Sequence, residues 1–488
     1  MKLSNATLNR LPADIKRPHY DRSAITPGIV HIGLGNFHRA HQSWYLHRLM
    51  QTGDAFDWGI VGAGVRAADQ HQCERLAKQD YLTTLIELDP KGRSAEIVGS
   101  MVDFVAVEEN NSSLIAQLAK PEIRIVSLTV TEGGYYLDSV TRAFDNQHPD
   151  IKFDAENPDN PRTAFGAIIA ALKLRKAAGS KPFTCQSCDN LQGNGDILKN
   201  TILSLANLSD KALANWIEQN CSFPNSMVDC IVPATGEKEL DLAKDMGIED
   251  DAPVTHENFR QWVIEDKFCN DRPNWENVGV TITDDVHSYE SMKIRILNGG
   301  HQLIANAGEM LSIEFISDCM EHNLIGNYFR KVAVDEIAPN VESVPNMTPA
   351  DYVRLIDQRF SNPEIIDTVR RVAFDGSSRQ TGFILPTLRQ ALQVHSACEG
   401  LILSQAIWAR MCEGTREDGS LIMDNDPNWD DLKASAKRAK ETPIIWLQQR
   451  HIYGDLINNE YFVDRFVYWY SLISSYGTAA ALRAYLGH

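Results

Sequence analysis

Apolar runs of strand length alternate with helical patterns through the first part of this chain, and near residue 285 the alternation stops. Candidate strands occupy 28–33 (GIVHIG), 58–62 (WGIVG), 81–87, 123–131 (IRIVSLTVT) and 183–187, with a last one at 278–283 (VGVTIT). Helical periodicity fills the intervals at about 38–50, 68–79, 110–119 and 163–178. Parallel strands need a crossover of roughly a dozen residues, usually a helix, so this alternation selects a mostly parallel sheet covered on both faces. Past residue 285 few strand signals remain, and helical patterns run at about 292–310, 364–372, 383–395, 398–413, 430–440 and 461–486. The Asp/Asn/Pro-rich stretches 145–161 and 423–431 read as surface loops. A chain of 488 residues exceeds one ordinary core. The expected architecture is α/β over 1–285 followed by a mainly α-helical domain over 286–488.

The first strand runs into Gly33-Leu34-Gly35-Asn36-Phe37-His38-Arg39-Ala40-His41 and then a helical pattern. Strand, tight glycine turn and helix bring a pyrophosphate to backbone N–H groups at a helix start. Gly33 would make the turn and Gly35 would allow close approach; His38 stands where a third glycine is usual. A lone GxG also fits an ordinary strand–helix turn. Its place on the first strand of an alternating region favours a Rossmann-type dinucleotide site. The second strand ends in GAGVRAAD, where Asp69 could bind ribose hydroxyls and Arg66 could accept the extra phosphate of NADP. Asp69 equally suits a helix start as a dipole-favoured carboxylate.

Hydrophobic residues make up 43% and charged residues 23%, as in a soluble globular protein. A net charge of −18 speaks against a nucleic-acid or anionic-membrane surface. The stretch MKLSNATLNRLPADIK lacks the apolar core of a signal peptide, and no apolar run reaches the roughly 18 residues of a membrane helix, so the cytoplasm is expected. Nine scattered cysteines with a single CxxC at 185–188 suggest buried, reduced thiols and no metal site.

Three further segments end in polar residues. TVTEGGY closes an apolar strand and puts Glu132 where a doubly wound sheet places ligands. Asp189-Asn190 ends another strand, either to hold an alkoxide or as turn residues. Asp229 closes FPNSMVD as a substrate contact or a cap. Past the domain boundary, KIRILNGGH sets three polar side chains in a run that otherwise reads as buried helix. At about 100° per residue, Lys293, His301 and Asn298 fall near roughly 0°, 80° and 140°, and could look into one cleft. A lysine, an amide and an imidazole suit alcohol–carbonyl chemistry, and a solvated polar stripe is the plain alternative.

The pieces IVHIGLGNFHRAHQ, SLTVTEGGY, SCDNL, FPNSMVD, FRQWVIEDKF, RPNWENVGV and KIRILNGGH occur in the order seen in the polyol-specific long-chain dehydrogenases. The chain resembles that family nearly end to end, and the mannitol 2-dehydrogenase branch most. D-arabinitol 4-dehydrogenases and the fructuronate and tagaturonate reductases are related branches. The resemblance implies reversible, metal-independent hydride transfer between a sugar alcohol and its ketose, D-mannitol and D-fructose foremost, in a protein that can be monomeric. It assigns Lys293 as acid/base, with a pKa lowered by desolvation. Asn190 and Asn298 would hold the oxyanion, His301 orient the reacting oxygen and Glu290 gate proton exchange. Asp229 and Arg371 would bind substrate. Gly33, Gly35, Asn36, Phe37, Arg66, Asp69 and Glu132 fall on the cofactor side.

Three departures bear on specificity. Ala68 stands beside Asp69 where an acidic pair is usual, so NAD is expected and NADP less firmly excluded. Arg379 replaces a substrate-side lysine with a planar fork of different reach. Gly300 precedes His301 where serine or threonine is commoner. A hexuronate reductase, its substrate carboxylate paired by Arg371 or Arg379, is the alternative within the family. A non-catalytic nucleotide-binding protein and a zinc-dependent dehydrogenase are the alternatives outside it.

Overall fold

The computed structural model describes residues 1–138 and 143–487, the Glu132 side chain excepted. It divides into two compact units, Met1–His287 and Ser288–His488. Every strand among the described residues lies in the first unit. These are β1 Pro27–Ile32, β2 Gly59–Ala63, β3 Thr83–Asp89, β4 Gly92–Val98, β5 Met101–Phe104, β6 Ile125–Leu128, β7 Thr184–Ser187, β8 Ser226–Asp229, β9 Val254–Glu257, β10 Gln261–Glu265 and β11 Thr281–Thr283.

Five of them form an all-parallel sheet in the order β5-β2-β1-β6-β7. Successive residues of β1 face opposite ways, as strand geometry requires. Val30 and Ile32 join Phe165, Ile168, Leu198 and Ile202 on one side. Ile29 joins Tyr45, Leu46, Leu49, Trp262 and Trp275 on the other. Both faces are covered, so the central strands can be apolar throughout, and truncating a buried ring such as Phe165 to alanine would cost about 3–5 kcal/mol.

The strand expected at 81–87 does not join this sheet. β3 pairs antiparallel with β4 across a two-residue connection and parallel with β9, forming a separate three-stranded sheet. So short a connection permits only antiparallel pairing, which takes β3 out of the parallel series. β8, β10 and β11 make a third small sheet. The stretch 145–161, expected as a loop, contains the helix Pro149–Glu156, begun by Pro149 at its first turn.

The second unit is helical. Its expected 461–486 helix is two, Glu460–Tyr476 and Thr478–Leu486, parted at Gly477 (φ +87°). The expected 364–372 helix shrinks to Val369–Val372, which starts where Thr368 accepts the N–H of Arg371. The helices Ile316–Glu321, Asn323–Val332 and Pro349–Phe360 have no counterpart in the sequence reading. The run from His287 to Met310 is not uniform α-helix: Lys293–Asn298 is a π-helical segment between the α-helices His287–Met292 and Gly299–Met310. It packs against two further π segments, Ala333–Ile337 and Gln380–Ile384.

Candidate active site

In the first unit the glycine turn is fixed from behind. Gly33 has φ +89°, and a Cβ there would lie 2.2 Å from the Thr129 carbonyl oxygen. The Thr129 hydroxyl donates to the Gly33 carbonyl (2.7 Å). His31 holds Thr129 and Ser127 through its two ring nitrogens, each at 2.8 Å. Burial lowers the His31 pKa to about 3, so this ring is neutral. Gly35 differs: its φ is ordinary and the nearest atom to a Cβ would be 4.0 Å away, so open space lies before it.

The helix that follows is short, Asn36–Ala40, broken at His41 and resumed as Gln42–Gln51. The Asn36 amide donates to the Pro233 carbonyl and the Thr235 hydroxyl and accepts from Arg39, so its side chain braces the loop. Phe37 stacks on His41. A cavity of about 410 Å³ beside this helix is lined by Asn36, Arg39, Gln72, Arg75 and Thr235.

Asp69 opens the helix Asp69–Ala77, and its Oδ2 accepts the N–H groups of Val65 and Arg66. The exposed Arg66 guanidinium lies 3.6 Å from Asp69 Oδ1. The helix-start role is thus present. Asp189 is likewise structural. Its carboxylate accepts from the Val130 and Thr131 N–H groups and the Tyr135 hydroxyl, tying the loop after β6 to the loop after β7. It holds Thr131 at φ +66°, an unfavourable conformation for a β-branched residue. Asn190 follows on the exposed side, and Asp229 is buried at the end of β8. Glu132 lies in the turn Glu132–Tyr135, its side chain outside the described residues.

In the second unit the spacing of the polar residues meets an unexpected helix geometry. An α-helical wheel sets Asn298 about 140° from Lys293. The segment between them is π-helical, with the Gly299 N–H bonded to the Ile294 carbonyl five residues back. An i→i+5 ladder stacks residues five apart. The α-helical turns on either side stack residues three apart. Glu290, Lys293, Asn298 and His301, spaced three, five and three, therefore follow one helix face. Glu290, Lys293 and Asn298 are buried. Arg295 pins the segment, donating to the Asn340 carbonyl and the Gln390 side-chain oxygen.

His301 is held neutral. Burial lowers its pKa to about 4; Asp367 opposes this, and Arg371, Arg359 and Arg379 add to it. Arg371 makes a two-point ion pair with Asp367, at 2.7 and 2.6 Å. Arg379 donates to the Val372 carbonyl. Both arginines line a cavity of about 470 Å³ with Thr368, Arg370, Phe374, Asp424 and Asn425. Asp367 and the ring behind His301 give no signal in the sequence: Asp367 lies inside the pattern that reads as a 364–372 helix, and Phe360 ends the unexpected helix Pro349–Phe360. Among the described residues no three His, Cys, Asp or Glu side chains cluster as a metal site. No helix there is long and apolar enough to cross a membrane.

Comparison with known proteins agrees across the whole chain. A family model described as the mannitol dehydrogenase Rossmann domain matches residues 27–277, and one described as the mannitol dehydrogenase C-terminal domain matches 285–474. Mannitol 2-dehydrogenase of Cereibacter sphaeroides is 52% identical over 472 residues, covering 97% of this chain and 99% of that protein. Mannitol 2-dehydrogenase of Pseudomonas fluorescens, solved as a ternary complex with NAD and D-mannitol, is 39% identical with a TM-score of 0.88 and 100% coverage of both chains. A D-sorbitol dehydrogenase solved in substrate-free form is 32% identical with a TM-score of 0.91, covering 99% of this chain and 100% of that one.

Proposed function

The chain belongs to the mannitol dehydrogenase family, and on that premise we propose that it interconverts D-mannitol and D-fructose with NAD as cofactor. The first unit would carry the cofactor and the second most of the reacting side chains. The observation that carries the reading is the single helix face through Glu290, Lys293, Asn298 and His301, brought into line by the π segment.

The residues present fit a dinucleotide. Gly33 makes a turn no other residue could make, and Gly35 leaves its backbone open to approach. Gly33, Gly35, Asn36, Phe37, Asp69 and Glu132 would hold it, with Arg66 beside the ribose. When bound, NAD supplies the hydride acceptor for polyol oxidation.

The chain's own residues handle the proton and the oxygen. Lys293, neutral in its acceptor form, takes the hydroxyl proton as the C–H bond is broken; in ketose reduction it returns that proton. Asn298 and Asn190 donate amide N–H groups to the oxygen as it gains negative charge. His301, kept neutral by burial and flanking arginines, orients the same oxygen without adding a competing positive charge. Glu290, three residues before Lys293, passes the proton on to solvent. Asp229, Arg371 and Arg379 take the remaining hydroxyls, Arg371 with its plane already set by Asp367. No metal is needed, because amide and imidazole donors stabilise the oxyanion. We place the protein in the cytoplasm, a location supported by nine cysteines of which none is joined in a disulfide among the described residues, and take the monomer as sufficient for activity.

A substrate panel run with NAD and with NADP tests this reading. D-mannitol with NAD is expected to give the highest kcat/KM, ahead of sorbitol, arabinitol and mannonate, and to keep it after exhaustive chelation. Turnover confined to mannonate or fructuronate would make the chain a hexuronate reductase and overturn the assignment.

A further inference from the structure

The imidazole of His301 lies flat on Phe360, with ring centroids 4.2 Å apart and planes inclined by 22°. Phe360, buried at the end of the helix Pro349–Phe360, is backed by Phe329 from the helix Asn323–Val332, centroids 5.5 Å apart. Phe329 can be there only because residue 300 is glycine. A Cβ on Gly300 would lie 2.6 Å from Phe329 Cε2 and 3.3 Å from Phe360 Cε2. Phe329 is itself fully buried, so its ring has little room to retreat. His301 Nε2 is buried and has no hydrogen-bond partner among the described residues. A histidine ring turns in a broad, roughly two-fold torsional well. With no hydrogen bond at Nε2 to select an angle, the face of Phe360 selects it.

We propose that Phe360 is a positioning residue that fixes the plane of His301, and that Gly300 belongs to the same device because it admits the Phe329 ring behind it. The inference rests on His301 contacting the reacting oxygen, as proposed above. It adds a cause: the imidazole is aimed by Phe360, stacked on it, with Phe329 tilted behind Phe360, while burial and the charges around it (Asp367, Arg371, Arg359 and Arg379) set its protonation.

The test is a double-mutant cycle in the full chain. Phe360→Leu keeps an apolar side chain and removes the flat face; kcat for mannitol oxidation is expected to fall about tenfold, with NADH binding by fluorescence unchanged. In a His301→Ala background the same substitution is expected to add nothing. Full kcat in Phe360→Leu, or losses that multiply in the double variant, would overturn the proposal. If His301→Ala alone turns over normally, the role of His301 falls and the proposal with it, an outcome distinct from the other two. Should thermal unfolding show Phe360→Leu to be unfolded, Phe360→Met, which adapts to irregular gaps, takes its place. Gly300→Ser is expected to reproduce the loss, and Phe329→Leu to restore part of it; no recovery in that pair would remove Gly300 from the device.

Discussion

Gly33 and Gly35 stand two residues apart and meet opposite constraints. Gly33 combines a left-handed φ with a backbone oxygen 2.2 Å from where a Cβ would be; Gly35 combines an ordinary φ with open space. Gly33→Ala should therefore lower the melting temperature sharply. Gly35→Ala should melt normally and weaken NAD binding by about tenfold, about 1.4 kcal/mol, as a methyl enters the approach to the backbone. Calorimetry and a fluorescence titration of NADH separate the two; a Gly35→Ala variant that binds normally would mean the cofactor does not come close there. Lys293→Ala should lose most turnover, by a factor of 10² or more, while NADH titrates as before. Unchanged turnover would remove Lys293 from the mechanism. The glycine pair and the lysine were legible in the sequence because each breaks an apolar pattern. The Arg371–Asp367 pair was not. Asp367 lies just before the short helix Val369–Val372, in a stretch whose periodicity wrongly suggested a longer one.

At the scale of elements, the alternation of strands and helices was readable for β1, β2, β6 and β7, four of the five strands of the parallel sheet, and it missed the short strands β5, β8, β9 and β10. It failed for β4, whose GRSAEIV pattern is half exposed, and for β3, which a hairpin draws into another sheet. The π segment was not readable, because its residues suit α-helix equally well; packing against two other π segments and the grip of Arg295 set its register. Arg295→Met leaves the Asn340 carbonyl and the Gln390 oxygen without this donor, at a cost of about 2–3 kcal/mol. If that grip keeps Lys293 and Asn298 on one face, kcat should fall together with stability while NADH binding holds. A variant that melts several degrees lower yet keeps full kcat would show that the register is maintained without it.

Over the whole molecule, several buried histidines bind protons less well folded than unfolded. Burial lowers His31 and His256 to about 3 and His301 to about 4, from 6.5. Above pH 6.5 these rings are neutral in both states and contribute no pH dependence. As pH falls below it, the unfolded chain takes up protons that the folded chain refuses, so stability is lost at up to about 1.4 kcal/mol per pH unit for each ring. Glu96, held at about 2 where His47 and Arg48 accompany it, adds to the loss below pH 4.5. Asp154 and Glu336, raised by burial, oppose it in that lower range. The melting temperature should drop by roughly 10 °C between pH 7 and pH 5; a flat profile would mean these rings are protonated in place. The central claim is that this chain moves a hydride directly between a polyol carbon and NAD. D-mannitol carrying deuterium at the carbon to be oxidised, given with NAD and a chelator, tests it most directly by mass spectrometry of the reduced cofactor. The account predicts one deuterium in the NADH and fructose as the product. Unlabelled NADH, or no turnover once metal is removed, would contradict it.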